Sequence, residues 1–114
     1  MLLDLNSLSN TEDIKTKTID MQKEWGGDIK VRAFDFAKQI AFEKRKSNIK
    51  DDSELVLLML EMSIVDDNDE CIFNEETVQV LKKKSSQALF KIFKECLSIN
   101  ALDEGGVENK AKNS

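Results

Sequence analysis

The residues from Leu55 to Val65 are apolar at every position except Glu61 and Ser63. A helix with apolar side chains on all sides needs neighbours on several sides to remove them from water. Because each well-buried side chain contributes roughly 1.5–3 kcal/mol, this segment predicts the centre of a hydrophobic core. We expect a helix over residues 53–65 that begins at Ser53, whose hydroxyl oxygen is a good acceptor for the first turn.

A pattern of period two precedes this helical part. Residues 13–22 and residues 29–32 alternate between apolar or threonine side chains and charged ones, which is typical of half-buried strands. Gly26-Gly27 between them supplies the positive φ angles that a tight reversal requires. We therefore predict a β-hairpin over residues 13–33. An isolated hairpin is barely stable in water, so it must pack on the helices or on another chain, and Trp25 could cover that junction.

Three further helices are predicted, over about residues 35–46, 74–84 and 85–100. Each begins near a side chain that caps helices, and basic residues at the ends of the first two suit the negative helix terminus. The capping residues are Asp35, Asn74, and Ser85 or Ser86. The expected core residues are Ala37, Ile40 and Ala41 with Phe36 beside them, then Val78 and Leu81, then Leu89, Ile92, Phe93, Cys96 and Leu97.

The chain has 114 residues, which fits one domain, and its pattern predicts a mainly α (α+β) fold. We expect a small, four-helix-like domain over residues 13–102 with the hairpin at its N-terminal end. Residues 1–12 predict a flexible arm, and the polar residues 103–114 predict a disordered tail.

Composition argues against several functions. The net charge of −5 disfavours nucleic acid and anionic membrane as partners, since their phosphates require lysine and arginine. No apolar run approaches the ~20 residues that cross a membrane, and no secretory signal is visible, so we expect a cytoplasmic protein. The chain has no histidine, which removes the commonest catalytic base and metal ligand. We predict no enzymatic activity, no catalytic residue and no cofactor.

The acidic loop Asp66–Glu70 invites comparison with a calcium-binding loop. With Asp66 at the first position, Cys71 stands where the sharp turn needs glycine, and Thr77 stands where a bidentate glutamate belongs. A solvated acidic turn is the favoured interpretation, and we predict no metal site. Cys71 and Cys96 lack the spacing of a zinc site, and two buried free thiols are favoured over a disulfide.

Three aromatic residues are candidates for binding a partner: Trp25, Phe73 and Phe90. Phe90 lies off the predicted core stripe of its helix and Trp25 lies at the hairpin turn, and aromatic residues outside a core are frequent anchors in interfaces. Ordinary packing in a small domain remains the alternative for each of them.

In its order of segments, the chain resembles the tail assembly chaperones of long-tailed, siphovirus-type bacteriophages and prophages. The match runs over about residues 13–114, and order and spacing carry it rather than any single motif. A departure is Asp69-Glu70, in a turn where the family often has glycine. The segments that carry the resemblance are Trp25-Gly26-Gly27, Val31-Arg32, Ser63–Asp66, Ile72–Val78, Leu81, Lys84-Ser85, Ala88–Phe93, Ile99–Leu102 and Asn109–Ser114.

The resemblance implies a protein that coats the tape measure protein in the bacterial host cytoplasm, keeps it soluble and helps to recruit tail tube subunits. The sequence leaves the oligomeric state open, with a homo-oligomer among the alternatives. Family members are often made as a longer frameshifted product as well, and Lys112-Asn113 is a candidate slip site. The alternative from another class is a small cytoplasmic adaptor or regulatory module that binds one protein partner. A degenerate calcium sensor is a third alternative.

Overall fold

The computed structural model describes residues 1–100, and the tail predicted over residues 103–114 lies outside this range. The fold is mainly α with a small antiparallel sheet, as the sequence predicts. The elements in chain order are α1 (Leu5–Ser9), β1 (Thr16–Met21), α2 (Gln22–Trp25), β2 (Gly27–Arg32), α3 (Phe36–Lys46), α4 (Asp52–Ser63), β3 (Ile64–Val65), a 3₁₀ helix (Thr77–Lys83) and α5 (Ser86–Ile99).

The predicted hairpin is present, but a short helix joins its strands. β1 pairs with β2 in a register that runs from Thr16 opposite Arg32 to Met21 opposite Gly27. The connection is α2, which ends at Gly26 with a left-handed φ of 77°. Glycine is the usual residue at this position because it has no Cβ to clash in the left-handed region. Only the first of the paired glycines therefore serves the reversal, and the second begins β2.

The predicted helix 53–65 differs from α4 at both ends. It begins after Asp51, whose carboxylate accepts hydrogen bonds from the backbone N–H and the hydroxyl of Ser53 (2.9 and 3.0 Å), so Ser53 is not the cap. At the other end, Ile64 and Val65 form β3 and pair antiparallel with β2. The sheet thus has three strands in the order β1-β2-β3. Because β2 lies more than thirty residues before β3 in the chain, the local sequence pattern does not predict their pairing.

The core is centred on α4, as the apolar run predicts. Every residue of α4 from Leu57 to Ser63 is buried. The helices α3 and α5 and the 3₁₀ helix pack around α4, and strands β1 and β2 pack on α5. These elements contribute Ile19, Met21, Val31, Val78, Leu81, Ala88, Ile92 and Cys96 to the same buried cluster. Among residues 1–100, no helix combines the length and the hydropathy needed to cross a membrane.

The predicted core face of α3 is wrong. Phe36 is 80% exposed, Ile40 is 41% exposed, and Ala37 and Ala41 are exposed as well. Phe42 is buried instead, and its ring lies 5.2 Å from that of Phe34. Phe42 faces the core because Phe34 packs against its ring, a contact that the spacing of apolar residues within α3 does not show.

Long cationic side chains flank Phe42 on the buried face of α3. Lys38 Nζ donates to the carbonyl oxygen of Met62 at the end of α4 (3.2 Å). Arg45 pairs with Glu61 of α4. Lysine and arginine can bury their aliphatic stems while their charged ends find partners, so the helix face they occupy is not recognisable as apolar in the sequence.

The last two predicted helices are present, and only the first of them differs in type. The segment predicted as a helix over 74–84 is a 3₁₀ helix that begins at Thr77, after a turn in which Asn74 Oδ1 accepts from the N–H groups of Glu76 and Thr77 (2.9 and 2.8 Å). Ser85 caps α5 by accepting from Ala88 N–H (3.3 Å), and Asp35 caps α3 by accepting from Lys38 N–H (2.8 Å). Both caps confirm the prediction.

Candidate protein-docking groove

A shallow apolar groove of about 280 Å³ lies where α4, the 3₁₀ helix and α5 meet. Small-molecule pockets usually have volumes of roughly 300–1,000 Å³, so this groove lies at the lower limit of that range. We call it the Phe90 groove. Its lining residues are Ser53, Val56, Leu57, Lys82, Ser86, Leu89 and Phe90.

The sequence forms the groove through two helix faces. The helix α4 is apolar all round, so Val56 remains half-buried on the side that the core does not use. The Ser85 cap sets the start of α5, and Ser86, Leu89 and Phe90 then follow at spacings of three and four residues. Residues at these spacings lie on one face of a helix.

Phe90 is the most exposed apolar side chain of the groove, at 57%. Its ring centroid lies 6.5 Å from that of Phe93, and the rings meet edge to face at 74°. Such a contact holds an aromatic ring in one orientation through the opposite charges of its edge and face. Phe90 is thus an exposed aromatic side chain whose ring contacts Phe93.

Lys82 is the one charged residue among the described residues that line the groove. Its Nζ lies 3.3 Å from Glu54 Oε1, and both side chains are about half exposed. Exposed ion pairs are worth at most about 1 kcal/mol, so this lysine can exchange its partner for an incoming carboxylate. The groove therefore favours an apolar side chain with an acidic neighbour.

A second cleft, also of about 280 Å³, contains Arg45 and Glu61 together with Glu54 and Glu75. Arg45 donates two parallel hydrogen bonds to the Glu61 carboxylate, at 2.5 and 2.8 Å. The hydrogen bond with Glu61 raises the pKa of Arg45, so the guanidinium stays charged. Because the charges of Arg45 and Glu61 satisfy each other, this pair joins α3 to α4 within the cleft.

Two carboxylates of the acidic loop bind groups of the same chain. Asp66 Oδ1 accepts from the N–H groups of Asn68 and Glu70 (2.8 and 3.1 Å). Asp69, at a left-handed φ of 63°, pairs with Lys30 Nζ (2.7 Å) and lies near Arg32. The hydrogen bond from Lys30, and then the nearby charges, lower the pKa of Asp69. Within residues 1–100 no group of three His, Cys, Asp or Glu side chains is placed to hold a metal ion.

The two cysteines are free thiols, but the prediction that both are buried is wrong for Cys71. Cys71 is exposed, with its Sγ 3.4 Å from Lys38 Nζ, because the loop brings it to the surface beside α3. Cys96 is buried in the core, and desolvation raises its pKa to about 12. Cys96 therefore stays protonated at neutral pH and is no nucleophile.

The structure does not gather the three predicted aromatic residues in one site. Phe90 lines the groove, whereas Trp25 and Phe73 are half-buried and pack against the core. Near Trp25, Lys91 Nζ donates to Glu24 Oε2 (3.0 Å) and thereby ties the hairpin connection to α5. The sequence does not predict Val56 and Lys82 as groove residues. Only the packing of the three helices shows which face of each helix remains accessible to a partner.

The exposed face of α3 is a rival apolar surface, because Phe36 and Ile40 stand on it one turn apart. Neither residue lines the Phe90 groove. We favour the groove, since an anchor side chain in a recess is desolvated on several sides, which is where interfaces concentrate their binding energy.

Comparison of the chain with known protein families, with curated proteins and with solved structures finds no match.

Proposed function

We propose that this protein is a tail assembly chaperone that acts in the bacterial host cytoplasm, where it binds the tape measure protein and keeps it soluble. The order of its segments, from the Trp25 hairpin to the helix that carries Phe90, supports this proposal by its resemblance to that family. The observation that carries the proposal on the structural side is the open Phe90 groove, a surface built to hold an apolar side chain.

The groove fits a helical client. An amphipathic helix docks in a groove through apolar side chains spaced three and four residues apart. Leu89 and Phe90 provide the apolar contact, and Lys82 attracts an acidic residue beside the client's anchor. A long helical protein that exposes such anchors aggregates on its own, because large exposed apolar patches associate.

The net charge of −5 suits the same role. A charged partner that covers apolar anchors gives the complex mutual repulsion and thereby keeps it dispersed. On this proposal the tail tube protein is the second partner, which replaces the chaperone as the tube assembles around the tape measure protein.

The test is co-expression of the chain with the tape measure protein encoded in the same tail gene cluster. We expect the chain to raise the soluble fraction of the tape measure protein and to co-purify with it. The matched comparison is an unrelated acidic domain of similar size, which controls for a general effect of charge on solubility.

If the folded chain neither raises solubility nor co-purifies, the chaperone proposal fails. The small adaptor or regulatory module then becomes the better account, and its single partner has to be found in an unbiased search. In that case, the Phe90 groove remains the surface to mutate in the search.

A further inference from the structure

A second apolar feature of the chain also lies exposed, and it belongs to the arm of residues 1–12. Five of its first nine residues are large apolar side chains, and each is more than half exposed. These are Met1, Leu2, Leu3, Leu5 and Leu8. Such a concentration of exposed leucine is unusual for a segment that stays in water.

The helix within the arm is too short to be stable alone. It spans Leu5–Ser9, and no residue in it is buried. Asp4 caps it by accepting from Ser7 N–H (2.7 Å), which contributes about 1 kcal/mol. Isolated helices shorter than roughly 12–15 residues are marginal in water, so a surface that covers Leu5 and Leu8 would provide the missing stabilisation.

The chemistry of the arm matches the Phe90 groove. Leu5 and Leu8 are three residues apart and lie on one helix face, as the anchors of a groove-binding helix do. Asp4 adjoins them, and residues 1–13 carry three acids and no lysine or arginine. The groove offers apolar walls and the ammonium group of Lys82. Shape and charge are thus complementary.

The arm is anchored far from the groove of its own chain. Its root residue Ile14 shares a cleft with Ile99 at the C-terminal end of α5. The groove is formed by Ser86 and Phe90 at the opposite end of that helix, and the rise of 1.5 Å per residue places them about 14–20 Å from Ile99.

Hydrogen bonds close the end of the arm's helix, and an ion pair ties the base of the arm to β2. Thr11 donates from its N–H to Leu8 O (3.2 Å) and from its hydroxyl to Ser7 O (2.8 Å). Arg32 Nη2 contacts Glu12 Oε1 (3.1 Å). The stretch from Thr11 to Ile14 spans at most about 10 Å, so reaching the groove of the same chain would require this stretch to extend fully and the Arg32–Glu12 contact to break.

We propose that the arm of one copy docks in the Phe90 groove of a second copy, with Leu5 and Leu8 against Leu89 and Phe90 and with Asp4 near Lys82. When two copies exchange arms reciprocally, the contact closes as a symmetric dimer. The proposal concerns the chain by itself and does not depend on the identity of its client, which has to displace the arm because both occupy the same groove.

Sedimentation of the full chain over a wide range of concentration tests this proposal. We expect association that the double variant Leu5→Ser/Leu8→Ser weakens at least about tenfold, because two leucine side chains lose their burial. Neither leucine is buried within its own chain, so the variant keeps its fold, which circular dichroism verifies. Phe90→Ala weakens association to a similar extent, while Phe36→Ala leaves it unchanged.

Mixing the two defective variants gives the decisive result. The arm variant keeps an intact groove and the Phe90→Ala variant keeps an intact arm, so a mixed dimer with one docked arm should form. A chain that stays monomeric overturns the proposal. So does undiminished association of either variant alone, which points to contacts between arms or between grooves. A loss with Phe36→Ala instead places the arm on α3.

Discussion

Arg45 of α3 donates two hydrogen bonds, of 2.5 and 2.8 Å, to the carboxylate of Glu61 of α4, and the Glu61 side chain is only 9% exposed. A carboxylate on the central helix of the core is tolerable only with such a partner, since an unpaired buried charge is costly. This ion pair therefore fixes how α3 lies against α4.

Replacement of Arg45 by methionine should destabilise the fold by about 3 kcal/mol, because it leaves the Glu61 carboxylate buried without a partner. The double variant Arg45→Met/Glu61→Met should regain most of that loss, as apolar side chains of similar size often replace buried ion pairs at little cost. Urea denaturation measures both changes.

The matched control is Lys82→Met, which breaks the exposed pair with Glu54 and should cost less than about 1 kcal/mol. Equal losses at Arg45 and Lys82, or a double variant as unstable as the single one, would show that Glu61 is well solvated.

The two neighbouring glycines should respond differently to alanine. Gly26 has a φ of 77°, and an added Cβ there meets no atom within 4 Å, so any penalty comes from the backbone alone. We expect Gly26→Ala to cost about 1–2 kcal/mol. Gly27 has equal space without the left-handed angle, so Gly27→Ala should be close to neutral. Thermal unfolding of the two variants tests this, and similar melting temperatures would contradict the hairpin geometry.

What the sequence predicts correctly here depends on neighbours along the chain. The caps at Asp35 and Ser85 bond to residues three positions away, and the apolar run of α4 demands burial whatever the topology. What it misses depends on distant partners. Strand β3 exists because β2 lies beside it, and Phe42 faces the core because Phe34 and α4 meet it there.

The candidate site divides in the same way. Phe90 stands out in the sequence because it falls off the core stripe of its helix, and the structure finds it exposed. Lys82 looks like an ordinary cation at a helix end, and only the approach of α4 and α5 places it in the groove. Trp25 and Phe73 share the aromatic chemistry of Phe90 but pack against the core.

The pairing of Asp69 with Lys30 predicts a pH-dependent contribution to stability. The pKa of Asp69 is lowered in the folded state from its ordinary value of 3.8. A carboxyl group of this kind stabilises the fold above pH 3.8, and the effect disappears as the pH falls through the lowered pKa. Asparagine also tolerates the left-handed angle, so Asp69→Asn isolates the charge.

We therefore expect Asp69→Asn to lower the melting temperature at pH 7 and to have progressively less effect below pH 3.8. Asp67→Asn is the control, since Asp67 forms no ion pair with any residue in the described part of the chain. A difference between wild type and Asp69→Asn that is independent of pH would mean that the ion pair is not formed in solution.

The different burial of the two cysteines predicts different rates of reaction with a thiol reagent at pH 8. Cys71 is exposed and should react in the folded protein, whereas Cys96 is buried with its pKa raised to about 12 and should react only in denaturant. The folded Cys71→Ser variant should consequently show no rapid reaction. Rapid modification of Cys96 in the folded state would mean that the core around α5 opens readily.

A paired comparison of two exposed phenylalanines tests whether the Phe90 groove holds the client. The measurement is the amount of soluble tape measure protein that co-purifies with Phe90→Ala and with Phe36→Ala. Both variants remove one exposed ring, at 57% and 80% exposure. We expect the amount that co-purifies with Phe90→Ala to fall about tenfold or more, as for the loss of an interface anchor. The amount that co-purifies with Phe36→Ala should equal that of the wild type. Full co-purification with Phe90→Ala would contradict binding of the client in the groove.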